Sequence, residues 1–259
     1  MNLILLGLSS YNFRNHVASD VGIDQKYLPS ENFHSQQYLD KIEEWTAFNK
    51  STLNVNKTKV MVFNFTDHFQ FSTRLYLENT LLEIISETKL LGTIISSDLK
   101  WHQNTQMLVK KGFQRMLILQ KLYSFKVHTS DLVKIYILYI RSILEQSCVV
   151  WSYSITNEEK SDLERVQRVA CKIILQDEYL SYDQALRDLN LDSLEVRRKS
   201  LCLKFAKRSV KHKKAKELFP LNEDSRNRDV YKVQFAKTSR LRDSSIPQLQ
   251  RALNLDARK

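Results

Sequence analysis

Thr156-Asn157-Glu158-Glu159-Lys160-Ser161-Asp162-Leu163-Glu164-Arg165-Val166-Gln167-Arg168-Val169-Ala170-Cys171-Lys172-Ile173-Ile174 is the stretch on which the architecture turns. Thr156 followed three residues later by Glu159 is a capping box, in which two side chains satisfy orphan backbone donors at a helix start. Leu163, Val166, Ala170, Ile173 and Ile174 then recur at spacings of three and four, one face of a helix. The same period continues on both sides. Ser130 reads as the N-cap of the preceding helix, with Val133, Tyr136, Ile137, Ile140, Ile143 and Leu144 on its apolar face. Leu108, Phe113, Met116, Leu117 and Leu122 mark another helix within residues 102–123. Residues 181–189 and 193–215 make two more. Residues 219–259 are expected as a basic polar tail, with Phe235, Leu241, Ile246 and Leu249 as isolated anchors.

Upstream of Trp101 the period changes. Residues 1–34 read as a poorly structured segment, because most of it is polar, with Asn12, Asp20, Gly22, Asp24, Pro29 and Asn32. Tyr38, Leu39, Ile42, Trp45 and Phe48 follow a helical spacing. Lys59–Phe65 reads as a strand, and the alternation of Phe69, Phe71, Thr73, Leu75 and Leu77 as a half-buried one. Leu81–Ile85 and Lys89–Ser96 are shorter strand candidates. The expected fold class is α+β, predominantly α: one helix with antiparallel strands over 35–100, then a helical bundle over 101–218.

Composition narrows the function. The 259 residues are 42% hydrophobic and 27% charged, enough to bury a core. Only four glycines and three prolines occur, which excludes a glycine-rich phosphate loop and a turn-dense β-sandwich. No apolar run approaches the ~20 residues of a membrane-spanning helix, and Leu3-Ile4-Leu5-Leu6 lacks the basic flank of a signal peptide. Cys148, Cys171 and Cys202 show no CxxC or metal-ligand spacing and read as buried free thiols. No membrane partner and an intracellular location, nucleus or cytoplasm, are expected. Residues 1–100 carry 9 basic and 11 acidic side chains, and residues 101–259 carry 31 and 18. The basic excess lies in the second part and points to a polyanionic partner.

Catalytic constellations are scarce. No Asp-Asp dipeptide occurs, and Glu43-Glu44 are neighbours on a helix and point in different directions. The six histidines are isolated, and no serine sits in a GxSxG elbow. No metal site is expected. The basic cluster Arg197, Arg198, Lys199, Lys204, Lys207, Arg208, Lys211, Lys213 and Lys214 is a better signal, interleaved with Leu201, Leu203, Phe205 and Val210. A solvated face, a membrane-surface helix and a phosphate-contacting helix share this pattern. The basic surroundings favour nucleic acid, as RNA–DNA or DNA duplex.

Several segments occur in a telling order. Leu53–Phe63 reads LNVNKTKVMVF, and Lys89–Trp101 reads KLLGTIISSDLKW. Tyr139-Ile140-Arg141-Ser142-Ile143-Leu144-Glu145 comes next, with Trp151 beyond it. Leu163–Ala170, then Tyr179, Tyr182, Ala185 and Leu186, and finally Leu194-Glu195-Val196-Arg197-Arg198 complete the set. Over roughly residues 35–210 this resembles the C-terminal part of a reverse transcriptase from a non-LTR (LINE-type) retrotransposon. The resemblance implies an RNA-directed DNA polymerase lineage and assigns 35–100 to the end of a palm and 101–218 to a thumb that grips primer–template. It makes Lys57 a phosphate-proximal lysine, and Leu90, Leu91 and Gly92 part of a primer-grip-like hairpin.

A complete family member would use magnesium, held by carboxylates that include an Asp-Asp motif. By the resemblance that motif lies upstream of residue 1, so this chain alone is expected to be catalytically inactive and to need no cofactor. The missing hairpin is also expected to leave an unpaired strand edge, with Phe63, Phe65 and Phe71 exposed and association through these strands. The alternative is a non-enzymatic helical interaction protein whose basic face meets an acidic partner. Trp101 and Trp151 read as core anchors.

Overall fold

The computed structural model describes residues 2–6, 10–11, 22–26, 35–63, 74–223 and 229–258. The chain divides into two compact units, Met1–Lys100 and Trp101–Lys259. It is α+β and predominantly helical, with small and mostly antiparallel sheets.

The first unit contains strands β1 (Asn2–Leu6), β2 (Ser10–Tyr11) and β3 (Gly22–Lys26), then helix α1 (Ser35–Phe48) and strand β4 (Thr52–Leu53). Strands β5 (Lys59–Phe63), β6 (Tyr76–Leu77), β7 (Thr80–Leu81), β8 (Glu83–Ile84), β9 (Glu87–Leu90) and β10 (Thr93–Ser96) follow. The main sheet runs β3-β1-β5-β8, antiparallel except for the parallel pair β5–β8. The poorly structured segment expected over 1–34 therefore supplies two of its strands. Its apolar opening, Leu3 to Leu6, is short but sufficient for a strand. Strand β5 lies inside this sheet, with Asn2 of β1 opposite Phe63 and Leu6 opposite Lys59. Phe63 is buried, not exposed. Phe65 and Phe71 lie outside the described residues.

Leu39, Leu53, Val60, Leu75, Leu77 and Leu82 form one core of this unit, and Met61 and Phe63 a second. Leu39, Ile42 and Thr46 are the inward positions of α1, whereas Trp45 and Phe48 are exposed. The hairpin β9–β10 pairs Leu90 with Thr93 across a two-residue loop. Both loop residues have positive φ, 47° at Leu91 and 86° at Gly92, as a type I′ turn requires. Gly92 adopts this without penalty, but Leu91 pays a Cβ clash at a 73% exposed tip. Leu91→Asn is expected to stabilise the first unit by about 1 kcal/mol in urea unfolding.

The second unit holds α2 (His102–Ser124), α3 (Thr129–Ile135), a π-helical turn (Tyr136–Arg141), α4 (Ser142–Leu144) and α5 (Cys148–Trp151). It continues through α6 (Asn157–Leu175), α7 (Tyr182–Asp188), α8 (Leu194–Lys211), α9 (Ser239–Arg242) and α10 (Ser245–Ala257). The capping box at α6 forms with both bonds, Thr156 N–H to Glu159 Oε2 at 2.6 Å and Glu159 N–H to Thr156 Oγ1 at 3.2 Å. The cap of α3 lies earlier than Ser130: His128 Nδ1 accepts the Ser130 N–H at 3.2 Å, and the helix starts at Thr129. The inner face of α2 is Leu108, Val109, Gly112, Met116 and Leu119, while Leu117 points outward.

Gly112 decides how α2 meets α6. A Cβ there would stand 2.8 Å from Val166 Cγ1 and 3.3 Å from Leu144 Cδ2. Both neighbours are fully buried, and a valine has little rotamer freedom on a helix. The crowding outweighs the ~1 kcal/mol of helix propensity that alanine would add, so Gly112→Ala is expected to destabilise by about 1–2 kcal/mol. A chevron or urea titration of the variant measures it.

Buried polar bonds tie the remaining helices together. Gln167, fully buried, accepts from Tyr136 Oη at 2.5 Å and donates at 2.9 Å to both Tyr182 Oη and the Asp192 carbonyl. Tyr182 in turn donates to Glu164, which also accepts the Leu194 N–H at 3.1 Å and so fixes the start of α8. Burial holds Tyr136 and Tyr182 well above the ordinary phenol value of 10.0. Each keeps its proton after the unfolded chain has lost its own. Their contribution is complete below pH 10 and is lost as pH climbs from there toward the folded value. Stability is expected to fall by up to about 1.4 kcal/mol per pH unit per tyrosine, measured by urea unfolding across alkaline pH, with a shallower slope in Tyr182→Phe.

The segment expected as a polar tail folds back on α8. Phe219, Leu249 and Leu253 share a core with Cys202 and Ala206. Asn254 and Tyr231 exchange two side-chain-to-backbone bonds, at 2.8 and 2.9 Å, and Gln250 Nε2 donates to the Leu218 carbonyl at 2.8 Å. Pro247 sits in the first turn of α10, where a missing N–H costs nothing.

Candidate nucleic-acid interface

Helix α8 is built to show one face and bury another. Ser193 caps it by accepting the Val196 N–H, and Glu195 in the first turn and Arg208 and Lys211 in the last complement the helix dipole. Leu194, Arg198, Cys202, Ala206 and Ser209 are buried. The nine basic residues singled out from the sequence therefore separate into two groups.

Four are engaged within the fold. Arg198 is only 3% exposed, lies 5.9 Å from the Trp151 ring centre, and its Nη1 has no hydrogen-bond partner among the described residues. Burial pulls its pKa down. It is a core residue and not a phosphate contact, because its position on α8 faces inward with Cys202. Arg197 makes a two-point bond to Glu145, Nε to Oε1 at 3.0 Å and Nη2 to Oε2 at 3.2 Å. Arg141 approaches the same carboxylate at 3.6 Å, and this partly buried triad fixes α8 against the end of α4. Lys199 is paired with Glu195 at 2.6 Å, and its hydrogen bond holds that carboxyl below the usual range. Lys207 is paired with Asp256 of α10 at 2.7 Å.

The other five, Lys204, Arg208, Lys211, Lys213 and Lys214, are exposed and make no ion pair among the described residues. Lys204, Arg208 and Lys211 are four and three residues apart and stand in one column about 10 Å long. Lys213 and Lys214 follow in the chain just past the helix end, and Phe205, 44% exposed, flanks the column. Such a column presents charge along a line, as a phosphate backbone does.

The expected sites of the first unit are local. Asn54 caps a 3-10 turn, Val55–Lys57, by accepting the Lys57 N–H at 3.1 Å, and the buried Thr58 donates to the Asn54 carbonyl at 3.0 Å. The Lys57 side chain is left exposed. Leu90 packs on the Met61–Phe63 core, while Leu91 and Gly92 form the hairpin tip. Among the described residues no group of three or more His, Cys, Asp or Glu side chains could hold a metal ion. No described helix is long and apolar enough to cross a membrane.

Fold and site together define a two-unit α+β chain whose helical unit carries an open basic column. Comparison with protein-family models, with curated proteins and with solved structures finds no match in any of the three. The sequence offered no signal for the Asp256 partner of Lys207, since the two are far apart in the chain. The Glu145 partner of Arg197 was equally hidden.

Proposed function

We propose that this chain is the palm-end and thumb portion of a non-LTR reverse transcriptase, and that its helical unit holds a primer–template duplex by the sugar–phosphate backbone. The observation that carries the proposal is the column Lys204–Arg208–Lys211 with Lys213 and Lys214, exposed and free of carboxylate partners among the described residues. Ordered motifs of that family support the lineage. Their residues Glu145, Glu164, Gln167, Tyr182 and Arg197 hold helices together, a role that ties a motif to a fold. In this reading Lys57 acts near nucleotide phosphates and Leu90, Leu91 and Gly92 approach the primer end. The described residues do not form a magnesium site, and no chemical step is assigned to them.

The test is a fluorescence-anisotropy titration of the full chain with an RNA–DNA duplex at several salt concentrations. Five phosphate contacts predict a log–log slope of about −4.5, from about −0.9 for each. Absence of binding at low salt would overturn the proposal. So would equal affinity for an acidic peptide of matched charge, which would instead favour a protein partner.

A further inference from the structure

Helix α1 is tied down on one flank and bare on the other. Leu39, Ile42 and Thr46 face the core of the first unit. On one side Gln36 accepts the Tyr76 N–H and donates to the Tyr76 carbonyl, both at 2.9 Å, and Glu43 accepts the Glu78 N–H at 2.5 Å. That flank is held by β6 and the turn after it. The opposite flank carries Tyr38, Lys41, Trp45 and Phe48 at steps of three and four. Tyr38 is 48% exposed, Trp45 61% and Phe48 86%. Lys41 lies 5.7 Å from the Tyr38 ring centre, and Glu44, three residues on, is exposed. The rings form a stripe about 15 Å long, and an exposed apolar patch of that kind marks an interaction site.

The charges of α1 select the partner. Asp40, Glu43 and Glu44 outnumber Lys41, and residues 1–100 carry 9 basic and 11 acidic side chains. A phosphate backbone or an anionic membrane surface would meet repulsion here. A second copy of the same helix would not.

We propose that this flank of α1 is a homodimer contact, in which two copies of the chain lie antiparallel about a two-fold axis level with Glu43. This inference does not rest on the polymerase reading. Tyr38 and Phe48 are equally far from that level, on either side of it, and so are Lys41 and Trp45. Each Tyr38 therefore meets Phe48 of the second copy. Each Lys41 reaches Trp45 of the second copy and the Glu44 carboxylate beside it. The stripe is thus complementary to itself in both apolar surface and charge, as an isologous interface requires.

Area sets the strength. With ~150–250 Å² for a whole aromatic side chain, the three rings leave about 400 Å² open on each copy. A pair would bury about 800 Å² of aromatic surface, before the stems of Lys41 and Glu44 are added, which is the low end of specific interfaces. The dimer is therefore weak and reversible.

The experiment is sedimentation velocity of the full chain, freed of nucleic acid, over a wide range of concentration. The expected result is a reversible monomer–dimer equilibrium. Trp45 emission shifts to the blue as the dimer forms, while Trp101 and Trp151 are already buried and hold theirs. Trp45→Ser weakens dimerisation by at least about tenfold. Lys41→Glu alone and Glu44→Lys alone each weaken it by about tenfold, because like charges then face each other across the axis. An equimolar mixture of these two variants associates again, as a heterodimer. That restoration arises across copies and not within one helix, so it separates a specific contact from general adhesiveness. All three positions are exposed, and circular dichroism of each variant checks that the fold is kept. A mixture that stays monomeric, or a dimer untouched by Trp45→Ser, would overturn the proposal. So would a wild-type chain monomeric at every concentration, which would leave the flank to a different protein.

Discussion

Duplex affinity of the full chain is expected to fall about 10⁴- to 10⁵-fold at ~0.1 M salt when Lys204, Arg208, Lys211, Lys213 and Lys214 are all replaced by glutamine. The magnitude follows from counterion release. Each phosphate neutralised contributes close to a factor of eight at that salt, so five contacts compound to roughly four and a half decades. The salt slope should flatten from about −4.5 toward zero in the same variant. Folding is a separate matter: all five side chains are exposed, and each substitution should change stability by no more than about 0.5 kcal/mol. Circular dichroism of the variant establishes that point. Lys199→Gln with Lys207→Gln is the control, because Glu195 and Asp256 already engage those ammonium groups. That double variant should change the slope by less than one unit. If it weakens binding as much as the five-fold variant does, general charge and not the column governs binding.

Trp151→Ala should be the most destabilising single change, at about 4 kcal/mol. Trp151 is fully buried on α5, and its Nε1–H donates to the Gln146 carbonyl at 2.9 Å. Its removal leaves a cavity on the side of α8 that holds Cys202 and strips Arg198 of the ring its guanidinium faces. A fall in melting temperature of about 10 °C is expected by calorimetry. Trp151→Phe keeps a ring in place and should lose roughly half as much. A melting temperature unchanged in the alanine variant would mean that α5 is not held in this core.

The helices of the second unit were readable because their signals are local. Thr156 and Glu159 are three residues apart, and Leu163, Val166 and Ala170 repeat within a few turns, so chain neighbours alone set the α6 start and its inward face. The change of period at Trp101 coincides with the division between the two units. The stretch Lys89–Ser96, read from its residues as one strand, instead breaks at Leu91-Gly92 into a hairpin, because both residues take positive φ. Burial of Trp101 and Trp151 follows from the size of their apolar rings.

What the tertiary structure decided is everything that depends on partners distant in the chain. Nine basic residues look alike in sequence, yet four are engaged: by Glu145, by Glu195, by Asp256 and, for Arg198, by burial against Trp151. The strand from Asn2 to Leu6 pairs with Lys59–Phe63 although nearly sixty residues separate them. The segment beyond Phe219 covers α8 because Leu249 and Leu253 find Cys202 and Ala206, a complementarity that no local period encodes. Periodicity and capping arise from interactions within a turn or two and can be read along the chain. Which charge stays free depends on how folded elements exclude water from one another. That is settled only when the apolar faces have come together.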